Sequence, residues 1–110
     1  MNTEASDMNT EASDMSTEAY GEVQLENDHF RVTKWTIEPG ALIPMHRHEY
    51  EYVVIPLVTD TMHVLDAHGT EIAAELVAGR SYTRPAGSEH QVENRASQHP
   101  IVFVEVEKLS

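Results

Sequence analysis

From Gly21 onward, apolar positions recur with a period of two or in brief unbroken runs, and no long window repeats at helical spacing. The pattern predicts strands over 22 to 26, 29 to 37, 49 to 58, 61 to 66, 70 to 77, 80 to 84, 89 to 94 and 100 to 107. Between them stand "ENDH", "EPG", "LVTD", "DAHG", "PAGS" and "NRASQHP", which supply the Gly, Pro, Asn and Asp that turns require. "TMHVLDAHGTEIAAEL" reads as a hairpin. The last run sets Val102, Val104 and Val106 against Phe103, Glu105 and Glu107, and the two acids are expected to face solvent. Many short strands without a long helix predict an all-β sandwich or barrel.

Residues 1 to 20 depart from that texture: MNTEASD, MNTEASD and MSTEAY are two identical heptapeptides and a decayed third copy. Their Met and Ala fall on a coiled-coil stripe. Met and Ala bury little, however, and Asn, Thr, Ser and Asp favour caps and turns over helix interiors, so a disordered acidic tail is expected, with one folded domain over 21–110.

Charge narrows the partners. The net charge of −12 includes five acids in the tail, leaving −7 on the domain, a field that repels nucleic acid and anionic lipid. Without cysteine there is no disulfide, no thiolate nucleophile and no Cys-type metal site, so a metal would need His, carboxylate, Tyr or water. No stretch approaches the roughly 18 apolar residues of a membrane span, and the acidic N-terminus lacks the basic and apolar regions of a signal peptide, so a cytoplasmic location is expected. A domain this small gains from a metal or a second copy, and a homodimer is expected.

Candidate chemistry begins in "GALIPMHRHEYEYVVIPL", residues 40 to 57. On an extended strand, residues two apart share a face, so His46 and His48 present two imidazoles to one point while Arg47 points away. Further on, "GRSYTRPAGSEHQVEN" runs Gly79, five residues, Pro85, Ala86, Gly87, two residues, His90, three residues, Asn94. This segment resembles the second motif of the cupin superfamily, G(X)5PXG(X)2H(X)3N, at every fixed position. Gly40, five residues, then His46, Arg47 and His48 resemble the start of the first, G(X)5HXH(X)3-4E(X)6G. The resemblance covers residues 22 to 107 and implies a jelly-roll β-barrel. It also implies a third inward imidazole at His90, and three buried rings are costly unless a metal satisfies them.

The first motif is incomplete. Its acidic position falls on Tyr52 or Val53, its last glycine is missing, and Glu51 stands one place early with strand parity opposed to the histidines. The candidate ligands are therefore His46, His48 and His90, with Glu51, Tyr52 or water at what remains. Three imidazoles suit Fe, Mn, Ni, Zn or Cu without choosing among them. Tyr52 is a candidate general base, with packing as its plainer role, and Arg84 is a candidate fork for a substrate carboxylate or a surface cation. His29, His63, His68 and His99 lack motif context, while Trp35, Phe30 and Phe103 read as core or interface. The run is similar to that of small cupins of bacterial β-alanine degradation. The resemblance implies a metal-binding cupin acting on a small polar or carboxylate-bearing metabolite, by dioxygenase or by lyase or isomerase chemistry. The alternative is a non-catalytic binding module.

Overall fold

The computed structural model describes residues 18–95 and 98–110, so the expectation for the heptapeptide tail lies almost wholly outside it. Among the described residues nine strands follow in order: β1 (Tyr20–Glu26), β2 (Phe30–Ile37), β3 (Leu42–Arg47), β4 (Tyr52–Pro56), β5 (Asp60–Asp66), β6 (Glu71–Leu76), β7 (Tyr82–Arg84), β8 (Glu89–Glu93) and β9 (Ile101–Lys108). They form two antiparallel sheets, β1-β2-β9-β4-β7 and β3-β8-β5-β6. The described residues contain no helix.

Inner faces follow from register. In β9, Ile101, Phe103 and Glu105 are buried, while Val102, Val104 and Val106 lie half-buried on the outer face beside Val32, Val53 and Ile55. This corrects the expectation that Glu105 faces solvent: the parity of β9 is set by the large side chains Ile101 and Phe103, which enter the core and carry Glu105 in with them. The core joins Ile37, Ile101 and Phe103 with Val54 from one sheet to Ile43, Met62, Val64, Leu76 and Val92 from the other.

Two further differences concern the segment around the histidines. The expected strand at 49 to 58 begins only at Tyr52, because 49 and 50 form a bend, and β3 is absent from the expected strands although His46 and His48 are read on an extended segment. Pro44 and the polar pair His46 and Arg47 hide β3, since its pattern does not alternate. The reason is a bulge: Ile43 lies opposite Val92 and His46 opposite His90, so three steps on β3 match two on β8. Strict alternation from buried Ile43 would send Met45 and Arg47 inward. The extra residue inverts the parity, leaving Met45 43% exposed and aiming His46 into the interior.

Asn94 closes the opposite end. It is wholly buried, its side-chain Nδ2 donates to the carbonyls of Ile37 and His99, and its backbone bonds Gly40 and Ala41. The Gly40 turn that leads into β3 has φ 84°, a conformation in which a side chain is strained.

Candidate metal centre

The three motif histidines converge. Nε2 of His46 lies 2.9 Å from Nε2 of His48, which in turn lies 3.2 Å from Nε2 of His90, and all three ligand atoms fall within 4.8 Å of one another. Nitrogens each about 2.0–2.1 Å from one ion, at angles between a right angle and a tetrahedral one, sit about 2.9–3.4 Å apart. The two short separations fit that requirement. Among the described residues no other group of three such side chains converges this way.

Each ring is positioned by backbone. His46 owes its direction to the bulge, and its Nδ1–H donates to the Pro44 carbonyl at 2.8 Å, which leaves Nε2 with a free lone pair. His48 lies just past β3 yet is only 6% exposed, because its backbone N–H donates to Ser88 O and its carbonyl accepts from Gly87 N. Those two bonds clamp the first histidine segment to the turn that precedes His90. Gly87 takes φ 89° there, so its place in the motif reflects backbone shape. His90 pairs directly across from His46.

Burial, reinforced by the neighbouring His46, lowers the His48 pKa to about 4. Burial also lowers His90 to about 4, with His46, His48 and Arg84 adding to the effect. Both rings are thus neutral near pH 7, the state in which imidazole binds a cation.

Tyr52 occupies the place of the family's acid and does something different. Its ring stacks on His48, with centroids 3.9 Å apart and planes at 22°, and it is 2% exposed. The hydroxyl is buried without a hydrogen-bond partner, and the Ser88 hydroxyl donates instead to Pro85 O at 2.8 Å. Burial, with Glu105 adding to it, pushes the phenol well above its usual range. Glu51 is not brought to the three rings. It is exposed and lines a groove on the other side of β4 with Phe30, Val53, Val106 and Lys108. Arg84 is half-buried, 5.5 Å from the centroid of the Tyr82 ring, and lines the same interior void as His46 and His90. The remaining histidines stand apart: His63 approaches Glu71 at 3.5 Å in a surface network with Arg95, His29 approaches Ser110 Oγ at 3.3 Å, and His68 and His99 are exposed.

Sequence reasoning missed Glu105. Its signal was present in the parity it shares with Ile101 and Phe103.

Two antiparallel sheets enclosing a three-histidine cluster, with both histidine motifs in register across β3 and β8, define the class of protein: the chain belongs to the cupin superfamily. Among curated relatives it is 47% identical over 85 residues, 77% of this chain and 87% of the relative, to the beta-alanine degradation protein BauB of Pseudomonas aeruginosa. A cupin domain from Bordetella pertussis Tohama I superposes with a TM-score of 0.81 at 36% identity, covering 87% of this chain and 98% of that one. The polyketide cyclase RemF of Streptomyces resistomycificus shares the fold, with a TM-score of 0.67 at 20% identity over 84% of this chain and 66% of that one. No family model matches the sequence.

Proposed function

We propose that the protein is a metal-dependent cupin enzyme that holds one divalent transition metal through His46, His48 and His90 and acts on a small polar or carboxylate-bearing metabolite. The observation that carries this reading is the spacing of the three Nε2 atoms, 2.9 Å and 3.2 Å, with the His46 tautomer set by Pro44. A metal held there would supply Lewis-acid or redox activation to a bound ligand. The chain's own residues do the rest. Tyr52 packs against His48 and covers one face of its ring, and Arg84, paired with no carboxylate among the described residues, offers a guanidinium fork beside His90. A carboxylate substrate also agrees with the relative named for beta-alanine degradation, and we propose the same setting here.

An open cleft of about 490 Å³, lined by His46, His48, Trp35 and Tyr50 among others, is of metabolite size. Protein purified without a His-tag should contain one transition-metal ion per chain by elemental analysis, lost on replacing the three histidines by alanine. Incubation with β-alanine and related small carboxylates, with and without air, should then consume one of them. A second reading, a non-catalytic binding module, is favoured by Tyr52 standing where the family has an acid; tight binding without turnover in both atmospheres would select it.

A further inference from the structure

One carboxylate lies inside the barrel and takes no part in the three-histidine cluster. Glu105 is 8% exposed, on the inner face of β9 between Thr33 of β2 and Val54 of β4. A buried carboxylate is costly unless a cation pairs with it, and the nearest candidate is already engaged: Arg31 Nε holds Glu107 Oε1 at 2.7 Å. The environment of Glu105 is nevertheless built. Trp35 shares the lining of the open cleft with it, and the indole can lie where it does only because residue 21 is glycine, since a Cβ there would come within 2.8 Å of the ring.

Its position relative to the cavities is the decisive observation. An interior void of about 20 Å³, room for one water, is lined by His46, His90, Tyr52, Tyr82, Arg84 and Glu105 among apolar neighbours, and Glu105 is its sole carboxylate among the described residues. The open cleft of about 490 Å³ is lined by His46, His48, Arg31, Trp35, Glu105 and Glu107 among others. Among the described residues only His46 and Glu105 line both. His46 comes from the four-stranded sheet and Glu105 from the five-stranded sheet, so they face each other where cleft and void meet. A small ligand that enters by the cleft and reaches His46 meets Glu105 on its other side.

We propose that Glu105 is the proton carrier of this site, a carboxylate that takes a proton from, and returns it to, a small ligand lodged between it and the three histidines. The proposal rests on the metal-site reading for where that ligand sits. In the step itself, the carboxylate accepts a proton from a C–H or heteroatom–H bond of the ligand, the bonding electron pair remains on the ligand, and Glu105 becomes a neutral acid. The proton then passes back to the product or out to water in the cleft.

The electrostatics agree. Burial, then Glu107 on the same strand, raises Glu105 to about 7, while Trp35 and Arg31 of β2 pull the other way. The other ionisable groups facing this interior are Tyr52 of β4, Tyr82 and Arg84 of β7, and, from the opposite sheet, His46 and His90. A carrier that is half-protonated near neutral pH exchanges protons in both directions. The mechanism is distinct from the ligand role of the family's missing acid, whose place Tyr52 fills on another strand.

Two measurements test it. In metal-free protein with ¹³C-labelled glutamate carboxyls, one resonance should titrate at about 7, vanish in Glu105→Gln and persist in Glu107→Gln. In protein loaded with Co(II), azide affinity followed by visible absorption should fall roughly tenfold as pH rises through about 7, as a carboxylate charges across the cavity. The Glu105→Gln protein should take up cobalt with an unchanged spectrum and lack that inflection. An ordinary glutamate titration, or an inflection unchanged in Glu105→Gln, overturns this proposal alone. Loss of cobalt uptake in Glu105→Gln also overturns it, by making the residue a ligand. A wild-type protein that takes up no cobalt overturns the metal reading and this proposal together.

Discussion

The two ends of the barrel interior are built from the same strands and differ in every other respect. Along β2 and β9 the inward pairs run Ile37 with Ile101, Trp35 with Phe103, Thr33 with Glu105 and Arg31 with Glu107. Within four rungs the lining passes from wholly buried aliphatics to an ion pair. The apolar end is sealed by Asn94 and holds the fold together, while the polar end collects the three imidazoles, Tyr52 and Glu105. The difference teaches that stability and chemistry are separable here, because one end can be altered with limited effect on the other.

The largest expected effect breaks the apolar end. Ile101→Ala removes a wholly buried side chain that lines neither the void nor the cleft and should cost about 2–5 kcal/mol in urea unfolding, with metal affinity changed far less. Next in size is a dependence on pH at the polar end. Between an unfolded pKa of about 4.5 and a folded value of about 7, native Glu105 keeps a proton that the unfolded chain has lost, so its contribution to stability falls as pH rises through that window and is level above it. The loss amounts to about 3 kcal/mol at most. His48 and His90, lowered to about 4, act with the opposite sign, adding stability as pH climbs from 4 to 6.5. Metal-free Glu105→Gln should therefore gain more stability than wild type between pH 5 and pH 8, as followed by denaturant titration at each pH.

Breaking the other end alone, His90→Ala should weaken metal binding by about 100-fold or more in a competition assay, since even loss of a hydrogen-bond partner to a ligand costs 10–100-fold. Its metal-free unfolding should shift less than that of Ile101→Ala. The smallest effect sharpens the boundary between the halves. Tyr52→Phe deletes a buried hydroxyl without a partner while keeping the ring stacked on His48, and should raise stability by about 1 kcal/mol in urea unfolding.

Much of this architecture was legible in the sequence. The spacing of His46 and His48, and the run from Gly79 through His90 to Asn94, announced both the fold and the cluster, because metal ligation and tight turns demand particular residues at fixed separations. The rest was hidden where position depends on partners distant in sequence. Nothing in "LIPMHR" says that one residue is surplus to the ladder with β8, and Met45 is as apolar as an inward residue would be. Glu105 reads as a solvated acid because polarity argues for water, and only the neighbours from β2, β4 and β7 show that it is enclosed. The sequence offers Tyr52 as a ligand, a base or, more plainly, a packing ring, and packing is what it does; that its partner is His48 depends on where His48 is clamped by the Gly87 turn.

The surplus residue in β3 is one that the site itself does not need. Loss of a single codon between Ile43 and His46 would restore regular pairing with β8 and leave His46 two steps from Ile43, still inward and still opposite His90. A shortened strand would keep its chemistry, so in this lineage a deletion there would matter less than the loss of either ring.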